Sequence, residues 1–153
     1  MKKVLFVCLG NICRSPLAEA LFNKHIEEQG LQDKYMSDSC GTGSYHIGEQ
    51  PDSRSRANAS DNGLIYAHNA RQLSIDDYTE FDFIVPMDAT NLTNIKKFNP
   101  ESNVPVELMR DYDEGYEGSD VPDPYFGGDQ GFQDVFDILD RSTKALLEKL
   151  ISK

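Results

Sequence analysis

The sequence predicts an α/β fold: a three-layer sandwich in which a four-stranded parallel sheet is flanked by helices. Three observations carry this expectation. Short apolar runs alternate with stretches of helical periodicity along the chain. The run Val4 to Cys8 is continuously apolar, as in a strand covered on both faces. Gly and Pro punctuate the boundaries, and no repeat or linker interrupts the 153 residues, so residues 1–153 read as a single domain.

The elements follow in order. After the Val4 to Cys8 strand comes a glycine-containing loop, Leu9 to Cys13. A helix then runs from Arg14 to Gly30, with Leu17, Ala18, Leu21, Phe22 and Ile26 on one face and Pro16 in its first turn. Tyr35 to Ser39 forms a short strand, followed by the loop Gly41 to Ser44 and irregular chain to Asp52. Ser53 to Asn62 is a surface helix stopped at Gly63. Phe81 to Pro86 is the third strand. Asp88 caps a helix that ends near Phe98, before Pro100. Val104 to Met109 is the fourth strand. Asp111 to Gly131 lacks periodicity; a loop of that length is usually functional or disordered, its acidic stretch Asp111 to Asp120 reads as solvated surface, and the sequence assigns that stretch no role. Gln133 to Ile151 closes the chain as an amphipathic helix.

Composition excludes several classes of function. A net charge of −11 and a pI near 4.6 argue against nucleic acid and anionic membrane surfaces as partners. The three cysteines, an odd and low number, fit a reducing compartment, and the N-terminal apolar run is too short for a signal sequence or a span. A cytoplasmic location is the expectation. The cysteines and the scattered His25, His46 and His68 make no zinc-ligand pattern, so neither metal nor cofactor is expected.

The chemistry concentrates in Cys8 to Ser15. A strand delivers Cys8 to a loop whose amides point inward, and Arg14 closes the loop at a helix N-terminus. Loop amides, the arginine and the helix dipole each favour a thiolate over a thiol. The same donors fit a tetrahedral oxyanion, and Arg14 adds a bidentate fork. Gly10 permits close backbone approach. Attack of the sulfur on phosphorus would give a phosphocysteine, and the leaving oxygen would then need a proton. Asp123, stiffened between Pro122 and Pro124, is the candidate acid, with Tyr125 and Phe126 beside it as a wall for a flat ring. Taken singly, each feature has a plainer reading. Cys8 could be a buried structural thiol, Ser15 a simple N-cap and Asp123 a turn residue.

Val4 to Ala20 resembles the signature of low-molecular-weight protein tyrosine phosphatases, V-C-x-G-N-x-C-R-S-P-x-A-E-A. Asp38-Ser39, Gly41-Thr42, His46 with Gly48, Ala70-Arg71, Met87-Asp88 with Asn91, and Asp123-Pro124-Tyr125 follow in the family's order. The resemblance implies that Cys8 is the nucleophile, Arg14 the phosphate clamp and Asp123 the general acid, then base. It implies that Ser15 favours the thiolate, and that Asn11 holds the loop in a strained shape with support from Ser39 and His68. Leu9, Gly10, Asn11, Ile12, Cys13 and Ser15 would surround the phosphate, and Leu9, Ile12, Tyr45 and Tyr125 would line the substrate slot. Cys13 would pair reversibly with Cys8 on oxidation. The implied fold has a four-stranded parallel sheet. The implied partner is a phosphotyrosine protein, a tyrosine kinase being one candidate, met by a monomer.

Two positions narrow the type. Ile12 stands where related arginine phosphatases carry threonine, which favours phosphotyrosine. Tyr45 stands where many relatives carry tryptophan. The alternatives on this scaffold are an arginine-phosphate phosphatase, an arsenate reductase, and a silent phosphate-binding module. No cysteine follows Cys40 to relay a disulfide, which disfavours the thioredoxin-coupled reductase.

Overall fold

A computed structural model describes residues 1–152 of the chain, the side chain of Phe126 excepted. Its centre is a parallel sheet in the order β2-β1-β3, formed by β1 (Lys2–Cys8), β2 (Tyr35–Gly41) and β3 (Phe83–Pro86). Its helices are α1 (Arg14–Glu28), α2 (Ser53–Asp61), the short α3 (Asp77–Glu80), α4 (Ala89–Phe98) and α5 (Gly128–Ile151).

The alternation of side chains along β1 builds two cores. Val4, Phe6 and Cys8 face one side and pack with Leu17, Leu21 and Phe22 of α1 and Leu139, Leu146 and Leu147 of α5. There the Phe6 and Phe22 rings meet edge to face at 5.5 Å. Leu5 and Val7 face the other side, with Tyr78, Ile84 and Ile95. Both faces of β1 are therefore buried, which explains its uninterrupted apolar sequence.

The expected fourth strand is reduced to a single parallel bridge, Ile84 to Val106. The sheet has three strands, and two prolines account for this. Ile84 N–H donates to Pro105 C=O, and Glu107 N–H donates to Ile84 C=O. The next ladder bonds in either direction would need N–H groups from Pro105 and Pro86, and neither has one. The long segment after residue 110 is also more ordered than its composition suggested. It contains 3₁₀ turns at Met109–Tyr112 and Pro124–Phe126, and α5 begins at Gly128 rather than Gln133. Buried Asp113 anchors it, accepting from Arg110 Nε at 3.0 Å and Arg141 Nε at 2.7 Å. Arg110 and Arg141 also lie over the Tyr116 ring, at 4.2 and 5.6 Å from its centroid. Among the described residues no helix is long and apolar enough to cross a membrane.

The topology brings the C-terminal end of β1 to the place where ligands bind in such sheets. Chain crowding there is severe. A Cβ on Gly41 would stand 2.6 Å from Leu9 O and 3.2 Å from Asn11 N, both backbone atoms of the following loop. A Cβ on Gly43 would stand 2.7 Å from the exposed Tyr45 ring, a side chain, and 3.4 Å from Leu9 O, an ordinary contact. Gly41→Ala should therefore lower stability in urea unfolding by about 1–3 kcal/mol, while Gly43→Ala costs clearly less. Equal costs would show that the loop does not depend on this close approach.

Candidate active site

The loop after β1 is shaped by one residue. Asn11 has φ of 57°, the only positive value among the described non-glycine residues. Its side chain is buried and fully engaged. Asn11 Nδ2 donates to Ser15 Oγ at 2.8 Å and Ser39 Oγ at 3.0 Å. Its Oδ1 accepts from the Arg71 backbone N–H at 3.0 Å. That bond fixes the amide's orientation, so His68 Nε2, 2.8 Å from the same oxygen, must be a donor.

Cys8 Sγ lies at the centre of this arrangement. It accepts from Asn11 N–H at 3.3 Å and sits 3.0 Å from Ser15 Oγ. Because Ser15 Oγ already accepts from Asn11, its own hydrogen is free for the sulfur or for Cys40 O, 3.3 Å away. The thiol is thus aimed into a ring of donors, as a reactive sulfur requires.

Arg14 is buried in the first turn of α1. Its Nη1 donates to Asp88 Oδ2 at 2.7 Å and to Val121 O at 3.0 Å. Burial opposes the guanidinium charge, but Cys8 and Asp88 more than offset this and raise its pKa. Its Nε and Nη2 make no hydrogen bond among the described residues. They are left for a ligand's oxygens in the cleft that Arg14 lines.

That cleft has a volume of about 200 Å³. Cys8, Leu9, Gly10, Ile12, Cys13, Arg14, Tyr45, Asp123 and Tyr125 line it, so most of the expected residues meet there. Asn11 and Ser15 do not line the cleft; the Asn11 side chain is turned away from it toward Ser15, Ser39 and His68. Asp123 caps the 3₁₀ turn that carries Tyr125, accepting from Tyr125 N–H at 3.0 Å. Phe126, expected beside it, has its side chain outside the described residues.

Several residues to which the sequence assigned no role contribute to the site. His46 lines the cleft, and a Cβ on Gly10 would sit 2.9 Å from its ring, which gives Gly10 its physical reason. Arg54 lies 5.0 Å from the Tyr125 ring centroid and pairs with Asp52 at 3.0 Å. Glu19 Oε1 accepts from Ser39 Oγ at 2.7 Å and faces His68 Nδ1 at 3.3 Å. Burial raises the Glu19 pKa to about 7 and lowers that of His68. Burial thus pushes both groups toward neutrality. Glu19, Asp38 and His68 bring ligand-type atoms within 4.8 Å of one another. Asp38 is already held by Arg71 and His68 by Asn11, so the trio works as a hydrogen-bonded support. Arg71 in turn forks onto Asp77 with two bonds of 3.0 Å.

This constellation has known counterparts. The family profile described as Low molecular weight phosphotyrosine protein phosphatase matches residues 3–153. The low molecular weight phosphotyrosine protein phosphatase of Schizosaccharomyces pombe is 46% identical over 136 residues, covering 88% of this chain and 87% of that protein. The protein tyrosine phosphatase of Entamoeba histolytica, solved with Hepes in its active site, superposes with a TM-score of 0.94 at 41% identity, covering 99% of this chain and 98% of that one. A Drosophila arginine phosphatase superposes with a TM-score of 0.90 at 32% identity, covering 98% of both chains. The chain belongs to the low molecular weight phosphotyrosine protein phosphatase family, whose members share a cysteine-based mechanism.

Proposed function

We propose that this chain hydrolyses phosphotyrosine in proteins, and small aryl phosphates, through a phosphocysteine on Cys8. The observation that carries the reading is the Cys8 sulfur among the Asn11 amide, the Ser15 hydroxyl and the free edge of Arg14, in a cleft that also contains Asp123. In the first half-reaction the Cys8 thiolate attacks phosphorus while Arg14 and the loop amides hold the equatorial oxygens. Asp123 gives its proton to the departing phenolic oxygen. In the second half-reaction the Asp123 carboxylate takes a proton from water, which attacks phosphorus and frees the sulfur. Leu9, Ile12, Tyr45 and Tyr125 hold the ring, and the exposure of Tyr45 and Tyr125 suits a slot reached from a protein surface. Charge stabilisation by Arg14 and the loop leaves no step that needs a metal.

Residues 1–153 act as one cytoplasmic, monomeric domain, with a phosphotyrosine protein such as a tyrosine kinase as partner. Arginine phosphate is the rival substrate, because an arginine phosphatase is among the similar structures. Ile12, on the cleft wall, favours the tyrosine reading through the resemblance described above.

Cys13 has a different environment from its neighbour. It is buried, and burial together with Asp52 raises its pKa to about 12. It waits as a neutral thiol, which sets it apart from the residue that attacks phosphorus, and pairing with an oxidised Cys8 would first require its deprotonation.

Two predictions follow from these assignments. On a panel of phosphotyrosine, phosphoserine and phosphoarginine peptides, wild type should prefer phosphotyrosine. Cys8→Ser should abolish turnover. Asp123→Asn should lower kcat by about 10²–10⁴-fold for poor leaving groups, and by less for p-nitrophenyl phosphate, whose phenol needs little protonation. A preference for phosphoarginine would overturn the substrate assignment, and p-nitrophenyl phosphate left intact would overturn the phosphatase. Secondly, iodoacetamide labelling of Cys13, read by mass spectrometry, should stay slow from pH 6 to 9, its rate still climbing with pH and reaching no plateau in that range. The sign follows from the raised pKa, since the thiolate fraction becomes large only near pH 12. A labelling midpoint near 8 would contradict it.

A further inference from the structure

We propose that a groove beside the catalytic cleft is a subsite for the peptide flanking the phosphotyrosine, and that it selects an apolar side chain next to an acidic one. The inference rests on the phosphotyrosine reading and extends it to the neighbouring sequence. The groove has a volume of about 400 Å³ and lies between the phosphate loop and α4. Leu9, Tyr45 and Leu73 are among its lining residues, with Asn94, Lys97 and Phe98 of α4.

Three observations identify the occupant. The first is continuity: Leu9 and Tyr45 line both this groove and the cleft that holds Cys8. A peptide whose phosphotyrosine enters the cleft reaches the groove by running over that pair. The second is exposed apolar surface. Leu9 is 46% exposed, Phe98 49% and Tyr45 75%, so large apolar groups face water on this side of the cleft mouth. Phe98 is also held in place, its ring stacked on that of Tyr78 at 6.2 Å. The third is charge. The chain has 26 acidic and 15 basic residues, yet among the described residues no Asp or Glu lines the groove. Lys97 does, and it makes no ion pair among the described residues. An acidic peptide, repelled by most of this protein, meets a local cation here.

The test uses phosphotyrosine peptides of one core sequence, with Leu-Glu, Leu-Lys or Ala-Glu placed on either flank. They are run on wild type and Lys97→Glu, with p-nitrophenyl phosphate as control. Lys97 is exposed at the end of α4 and outside the catalytic cleft, so the variant should fold and turn over the small substrate at the wild-type rate. For wild type, on one flank, kcat/KM should favour Leu-Glu over Leu-Lys by about fivefold and over Ala-Glu by about threefold. Lys97→Glu should invert the charge preference and keep the leucine preference. Added salt should shrink the charge effect alone. Equal rates for all peptides, or an unchanged charge preference in Lys97→Glu, would overturn the groove while leaving the phosphatase intact. Failure on p-nitrophenyl phosphate would instead overturn the phosphatase reading beneath it.

Discussion

The left-handed backbone at Asn11 is the constraint on which the rest of the site depends. A non-glycine residue in that region is held there only when its surroundings over-determine it. Here the side chain makes four hydrogen bonds within its own buried shell: two donated, to Ser15 and Ser39, and two accepted, from His68 and the Arg71 backbone. The backward turn aims Asn11 N–H at the Cys8 sulfur. Removing the Ser15 or Ser39 hydroxyl would leave one N–H of this buried amide without an acceptor, at a cost of about 1–3 kcal/mol. The loop's shape is therefore a property of β2 and the Arg71 segment as much as of the loop's own sequence.

A second tie runs through Arg14. One nitrogen of its guanidinium binds Asp88, at the start of α4, and the carbonyl of Val121. The Arg110–Asp113–Arg141 ion pairs hold the segment that leads to Val121 and Asp123. Ala89 N–H donates to Asp120, fastening that segment to the same helix end. Thus the acidic stretch before Asp123 acts as a strap that carries the candidate acid to the cleft. The contacts of Asp113 and Asp120 give a physical role to charges whose purpose the sequence left open.

The first strand, its loop and the helix after it were legible because their signals are local. A continuous apolar run, a glycine, and an arginine at a helix start all appear within fifteen residues. The fourth strand was misread because Val104 to Met109 has the apolar content of a strand, whereas pairing depends on N–H groups that Pro86 and Pro105 lack. Glu19 and Arg71 were missed as supports for a different reason. Glu19 sits on a helix whose apolar stripe explains its neighbours, and its bonds to Ser39 and His68 cross 20 and 49 positions of sequence. Only the packing of α1 against β2 brings them together. Arg54, beneath Tyr125, is likewise a contact between segments 71 residues apart. The motif marks the candidate reacting residues, while the residues that hold them are encoded at long range.

The central claim is that Cys8 becomes covalently phosphorylated during turnover. Wild type would be mixed with p-nitrophenyl phosphate, quenched in acid within milliseconds, digested and analysed by mass spectrometry. The account predicts one added phosphoryl group on the peptide bearing Cys8, at its highest occupancy early in the reaction and greater still in Asp123→Asn if water activation is slowed. Phosphate released with burst kinetics absent and every cysteine unmodified at all quench times, or a label found on Cys13 instead, would contradict it.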